Sequence, residues 1–181
     1  MNGTADKNGL ELSLLAEEDL SSIAAHYAHE VQTGVATFDT TAPGIDHWQK
    51  KLVDSQSNAY PIWVARDAQG RVAGWSGVGR FDPKLAYQRS AEFSVYVLDA
   101  YQGKGVGRML MRHALTQLEN HPTIKTLVSR IALQQEASLH LHRALGFKHI
   151  GTLEDVGFKF GETLSVALYQ YQLAVERGSV G

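Results

Sequence analysis

The chain has no cysteine among its 181 residues, which excludes disulfides, thiolate metal sites and a cysteine nucleophile. It also lacks an excess of charge of either sign. Seventeen Lys and Arg face 19 Asp and Glu, for a formal net charge of -2. That balance leaves no basic footprint for a nucleic acid, and no Lys/Arg cluster marks a membrane surface. No stretch approaches the ~20 apolar residues of a membrane span, and Met1 to Gly9 carry no apolar segment of a secretory leader. A cytoplasmic protein is therefore expected, with neither nucleic acid nor membrane as partner. The 8 histidines form no H-E-x-x-H motif, and the pairs His26/His29 and His140/His142 bring no carboxylate in ligand spacing, so no metal is expected. Internal repeats and low-complexity segments are absent too.

What is present is ordinary for a globular chain: 44% hydrophobic and 20% charged residues. The length suits one domain with a single core, expected over residues 10–175, between tails at 1–9 and 176–181. Leu10, Leu12 and Leu14 alternate as a strand, and Leu20, Ile23, Ala24, Tyr27 and Val31 follow at helical spacing up to Gly34. A second helix is expected around Trp48, Leu52 and Val53. Tyr60 to Arg66 and Arg71 to Val78 read as strands joined by the turn Asp67-Ala68-Gln69-Gly70. After a polar loop, Ala91 to Val97 is a strand with Glu92, Ser94 and Tyr96 on one face and Phe93, Val95 and Val97 on the other. Val106, Leu110, Ala114 and Leu118 line a helix that stops by Pro122. A strand at Ile124 to Ile131, a helix at Gln135 to Leu145 ended by Gly146, and strands at Lys148 to Leu153 and Leu164 to Leu173 complete the order β-α-α-β-β-β-α-β-α-β-β. Hairpins first and crossovers later predict a mixed sheet in an α/β fold.

The stretch Gln102-Gly103-Lys104-Gly105-Val106-Gly107 separates the strand ending at Val97 from the helix starting near Val106. Its glycines permit a tight turn that aims helix-start N–H groups at an anion such as a pyrophosphate. No G-x-x-x-x-G-K-[ST] string occurs, which excludes a nucleotide P-loop. Arg108 stands where the dinucleotide fingerprint needs its third small residue. The spacing of Gln102, Gly105 and Gly107 instead fits Q/R-x-x-G-x-G/A and resembles the loop of the GNAT N-acetyltransferases. The resemblance implies a fold whose central parallel strands splay apart between flanking helices, with acetyl-CoA as co-substrate. It implies that Gln102, Gly103, Lys104, Gly105, Val106, Gly107 and Arg108 hold the pyrophosphate.

The stretch from Gln135 to Phe147, with Ser138 and His142 on one helix face and Leu145-Gly146-Phe147 after it, resembles a later motif of the same family. By resemblance, Gln135 and Ser138 face the pantetheine arm, although Gln135 stands where asparagine is usual. Ala36-Thr37-Phe38, Pro43, Trp48, the segment Tyr87 to Val97, and Val156-Gly157-Phe158-Lys159-Phe160-Gly161 are similar to the phosphinothricin acetyltransferase subfamily. That pattern spans about residues 10 to 173. It implies N-acetylation of a small amino-acid analogue of the phosphinothricin, arsinothricin or methionine sulfoximine type, a detoxification or resistance role, and a homodimer. Glu162-Thr163-Leu164-Ser165 departs from it, which bears on selectivity or on the dimer contact.

Acetyl transfer needs a neutral amine, whereas an α-amino group with a pKa of about 8 is mostly ammonium at pH 7. Glu92, in an otherwise core-like strand beside the glycine loop, is the expected base and matches the subfamily's. His142 is a candidate proton donor to the departing thiolate, or else a packing or orienting residue. The family implies that main-chain N–H groups around Val95, Tyr96 and Val97 meet the acetyl oxygen. Arg80, Lys84 and Arg89, with Tyr87 to hydrogen-bond and Phe38 to cover an apolar stem, form the expected site for an anionic acceptor. Two alternatives stay open: another amine as acceptor, such as a peptide or protein N-terminus, or a non-catalytic acyl-CoA sensor.

Overall fold

The computed structural model describes residues 9–173, so the expected tails, apart from Gly9, lie outside the described residues. The elements are β1 (Glu11–Leu14), α1 (Leu20–Thr33), α2 (Ile45–Gln56), β2 (Ile62–Arg66), β3 (Val72–Arg80), β4 (Ser90–Val97), α3 (Val106–Leu118), β5 (Thr126–Ala132), α4 (Glu136–Ala144), β6 (Lys148–Lys159) and β7 (Glu162–Gln172). Their order is the one that hydrophobic periodicity predicts.

The strands form one seven-stranded sheet in the order β1-β2-β3-β4-β5-β7-β6. Every neighbouring pair is antiparallel except β4 with β5. That parallel pair is brief: Ser90 faces Thr126, Ala91 faces Leu127 and Glu92 faces Val128, after which the strands separate. Beyond Glu92 the edge of β4 that faces β5 has lost its ladder partner, while its other edge stays paired with β3 as far as Val97. The GNAT fold expected from the sequence is therefore present, with its opening at a defined register.

Alternation along β4 divides the two layers. Phe93 and Val95 pack in the layer of α3, whose Leu110, Met111, Ala114 and Leu118 are fully buried. Each large side chain among them contributes roughly 1.5–3 kcal/mol by leaving water. Tyr96 faces the other layer, where Leu20, Ile23 and Trp48 of α1 and α2 cover Trp75 and Val64. Gly74 permits the close approach of α3, because a Cβ there would lie 2.6 Å from the Tyr96 carbonyl and 3.1 Å from Leu110 Cδ1.

One element differs from expectation. The strand predicted to end at Leu153 continues to Lys159, because the pairing of β6 with β7 shifts register between Leu153 and Gly157 and Asp155 has φ of 53°. Such an irregularity breaks the alternation by which a strand is read from sequence. Phe160 and Gly161, both with positive φ, then close a two-residue hairpin.

Candidate active site

Where β4 and β5 part, a cavity of about 560 Å³ opens between them. β4 supplies Glu92 to Tyr96, β5 supplies Ser129 to Ala132, and α4 supplies Ser138 and His142, with Gln135 just before it. The segment between α1 and α2, with Thr37, Phe38 and Asp39, forms the facing wall. At the parting point the Ser129 hydroxyl donates to the Phe93 carbonyl at 3.0 Å, which satisfies one acceptor where the ladder stops.

Glu92 is half-exposed in this cavity and bound by a cation. Arg130 Nη1 donates to both Glu92 Oε1 and Oε2 at 2.9 Å, and the guanidinium lies over the Phe81 ring, 5.6 Å from its centroid. Lys51 from α2 and Arg80 from the end of β3 also line the cavity. Burial lowers the Lys51 ammonium pKa from its ordinary value, against the opposing pull of Asp54, Glu92 and Asp39. Of the cations expected at the acceptor site only Arg80 lines the cavity. Lys84 faces a separate groove beside His121, Tyr87 packs edge-on against Phe81, and Arg89 is exposed.

Lys51 and Arg130 line the cavity in which Lys84 and Arg89 were expected. Both had a signal in the sequence. Arg130 is a charged residue inside the apolar run Leu127 to Ala132, and Lys51 lies three residues after Trp48, on the same helix face.

The facing wall is braced by polar contacts. Tyr27 Oη donates to Asp39 Oδ2 at 2.7 Å and lies 2.6 Å from Thr37 Oγ1, which accepts the Asp39 N–H at 3.2 Å. Burial first, and then the Asp39 carboxylate, push the Tyr27 phenol up to about 12. Behind the wall, the buried Lys159 Nζ donates to the Gly34 and Thr37 carbonyls at 2.8 Å and to the Glu30 carbonyl at 3.4 Å. A Cβ at Gly157 would run into the Phe38 ring, so glycine there lets Phe38 lie against β6. Gly157 and Lys159 of the Val156 to Gly161 motif thus hold the wall from below.

Residues 25–147 match the Acetyltransferase (GNAT) family. The chain belongs to that family. A phosphinothricin N-acetyltransferase of Alcaligenes faecalis is 32% identical over 88% of this chain and 81% of that protein. An L-methionine sulfoximine/L-methionine sulfone acetyltransferase of Pseudomonas aeruginosa is 34% identical over 89% of this chain and 93% of its own length. Among solved structures, a GNAT superfamily phosphinothricin acetyltransferase of Sinorhizobium meliloti in complex with AcCoA superposes with a TM-score of 0.84 at 31% identity, covering 91% of this chain and 89% of that one. The protein is an acetyl-CoA-dependent N-acetyltransferase.

The start of α3 fits the anionic part of that co-substrate. Gly105, with φ of 81°, is the cap residue, and no side chain caps the helix. The first intrahelical bond is the Met109 amide to the Gly105 carbonyl at 3.1 Å, which leaves the amides of Val106, Gly107 and Arg108 without a helical partner. A Cβ on Gly103 or Gly105 would meet no atom within 4 Å, so those two glycines serve the positive φ rather than close packing. Gly107 has a different reason, since a Cβ there would come within 3.2 Å of Leu141 Cδ2 on α4. Gln102 Nε2 donates to the Val97 carbonyl at 3.2 Å and to Asp99 Oδ1 at 2.9 Å, which ties the turn to the end of β4. Lys104 Nζ donates to the Ala100 carbonyl at 2.7 Å, and Arg108 is exposed. The turn does not line the cavity, whereas Val95 and Tyr96 of β4 do.

His142 is buried, 2% exposed, among the rings of Phe147, Phe93 and Tyr169. Its Nδ1 lies 2.8 Å from the Ser138 carbonyl, to which it donates, and its Nε2 lies 3.1 Å from Ser129 Oγ. Burial pulls its pKa down to about 4, against the Ser138 carbonyl bond that acts upward. The imidazole of this N-acetyltransferase is therefore neutral at pH 7 with its one proton committed to a backbone carbonyl. A neutral imidazole with Nδ1 so engaged presents Nε2 to Ser129 as an acceptor.

Proposed function

We propose that this enzyme acetylates the α-amino group of a small amino acid whose side chain ends in a phosphinate, arsinate or sulfoximine group, as in phosphinothricin, arsinothricin or methionine sulfoximine. The observation that carries the reading is the charge lining the cavity: Lys51, Arg80 and Arg130 against Asp39 and Glu92. Three cations less two carboxylates leave one positive charge. A phosphinate or arsinate amino acid, with its ammonium and carboxylate, brings one negative charge, while a sulfoximine side chain is neutral and brings only hydrogen-bonding oxygen and nitrogen; guanidinium groups suit carboxylates and phosphinates. The two relatives named for such substrates support the same class.

Acetyl-CoA supplies an activated acetyl carbon and a thiol that can leave. The protein's own part begins with the proton. Glu92 takes it from the acceptor ammonium, directly or through one water, a step typically worth ~10²–10⁴ in rate. Unladdered N–H groups of β4 around Val95 to Val97 suit a developing negative charge on the acetyl oxygen. The amides at the start of α3, with Gln102 bracing the turn, hold the pyrophosphate, while Gln135 and Ser138 border the arm. The Ser129 hydroxyl has one proton to share between the Phe93 carbonyl and His142 Nε2, both of which it faces at the parting of the strands.

The edge strand β6 and the turn after it expose Val156, Phe158 and Phe160, which supports a homodimer, and we infer a cytoplasmic enzyme with a resistance role. An acceptor screen read by free thiol release from acetyl-CoA tests the reading. Anionic amino-acid analogues should lead the panel. Preference for polyamines or peptide N-termini would replace the substrate class, and no acetylation of any amine would favour the sensor.

A further inference from the structure

We propose that Arg130 is the receptor for the acceptor's α-carboxylate and that, until a carboxylate displaces Glu92 from it, it keeps Glu92 from acting as the base. This rests on the reading of Glu92 as the base.

The pairing of these two side chains is unusual in its economy. A guanidinium has five N–H donors and commonly meets a carboxylate with two parallel bonds from two nitrogens. Here one nitrogen, Nη1, serves both oxygens of Glu92 at 2.9 Å. No other hydrogen bond of the Arg130 guanidinium occurs among the described residues. Phe81 supports its flat face, 5.6 Å from centroid to Cζ, a contact that uses none of the donors. The Arg130 side chain is 47% exposed and that of Glu92 36%, so neither is locked, and the spare donors give an incoming carboxylate its first hold before it displaces Glu92.

Other charges around Glu92 do not substitute for Arg130. Lys51 on α2 is near enough to feel the Glu92 charge, and it answers to Asp54 and Asp39 as well. Arg80 at the end of β3 is next to Gly79, the register partner of Glu92, and makes no ion pair with it among the described residues. Asp39 is engaged by the Tyr27 hydroxyl.

An α-amino acid therefore exchanges one ion pair for two. Its carboxylate takes the Arg130 donors, and its ammonium takes the place of Arg130 beside Glu92. The proton then moves from nitrogen to carboxylate, giving a neutral amine and a neutral Glu92. An amine without the α-carboxylate must separate Arg130 from Glu92 with nothing to offer the guanidinium, so it reacts poorly. Arg130 thereby selects α-amino acids over plain amines.

The test compares the best amino-acid acceptor from the screen with the amine left by removing its α-carboxyl group, in the wild type, Arg130→Gln and Arg130→Lys. The ratio of the two kcat/KM values should fall by about tenfold or more in Arg130→Gln, through a raised KM for the amino acid, with Arg130→Lys in between. A smaller fall overturns the proposal, as does a best acceptor that is a peptide N-terminus, whose α-carboxyl is an amide. Glu92→Gln assayed alongside separates the causes. If it is inactive while Arg130→Gln keeps the preference, only the receptor is wrong; if it turns over normally, the base reading itself has failed.

Discussion

At the scale of single residues, His142 is a buried group whose protonation state bears on stability near neutral pH. Its pKa is lowered to about 4 in the folded protein, whereas an unfolded histidine titrates near 6.5. Between those values the unfolded chain binds the extra proton, so the stabilising contribution is complete above about pH 6.5 and is lost as pH falls through 4. The full effect is about 3 kcal/mol, because a pKa unit is worth about 1.4 kcal/mol. Burial lowers His26, His47 and His113 as well, so the wild-type slope is shared. Thermal melts across pH 4 to 7 should therefore fall less steeply for His142→Gln than for the wild type. Parallel curves would show that the imidazole carries no such linkage.

Among elements, the relation between β6 and the α1–α2 segment decides the shape of the acceptor wall. Lys159 reaches from β6 to one carbonyl in the last turn of α1 and two in the segment after it, and no side chain with fewer donors serves all three. Hydrogen bonds to a charged donor contribute roughly 1.5–3 kcal/mol each, and carbonyls left unpaired in a buried place add a desolvation cost. Lys159→Met, which keeps the length of the chain and removes the ammonium, should lower stability by about 2 kcal/mol or more and raise the acceptor KM, with acetyl-CoA affinity preserved. Denaturant melts and steady-state kinetics measure both. An unchanged KM would show that the wall does not depend on this brace. The motif from Val156 to Gly161 could be recognised in the sequence, yet its function could not, since it works on residues more than 115 positions away.

For the molecule as a whole, periodicity yields the element order and even the two faces of β4, because burial against α3 on one side and α1–α2 on the other writes a period of two into residues 92–97. Register is another matter. Nothing local to β4 or β5 says that their pairing stops at Glu92 and Val128, and that single fact creates the cavity. The site is legible to the same degree. Glu92, Phe38, Arg80, Gln135, Ser138 and His142 do line one cavity, but Lys84, Tyr87 and Arg89, neighbours of Glu92 in sequence, do not share it. Arg130 arrives from a strand 38 residues on, which no spacing argument reaches. The central claim is that Glu92, at the parting of β4 and β5, removes the proton that prevents attack. Turnover of Glu92→Gln, followed by thiol release with acetyl-CoA affinity measured calorimetrically on the same sample, tests it most directly. A fall of about tenfold or more with affinity unchanged is expected; normal turnover in that variant would contradict the role of Glu92 as the base.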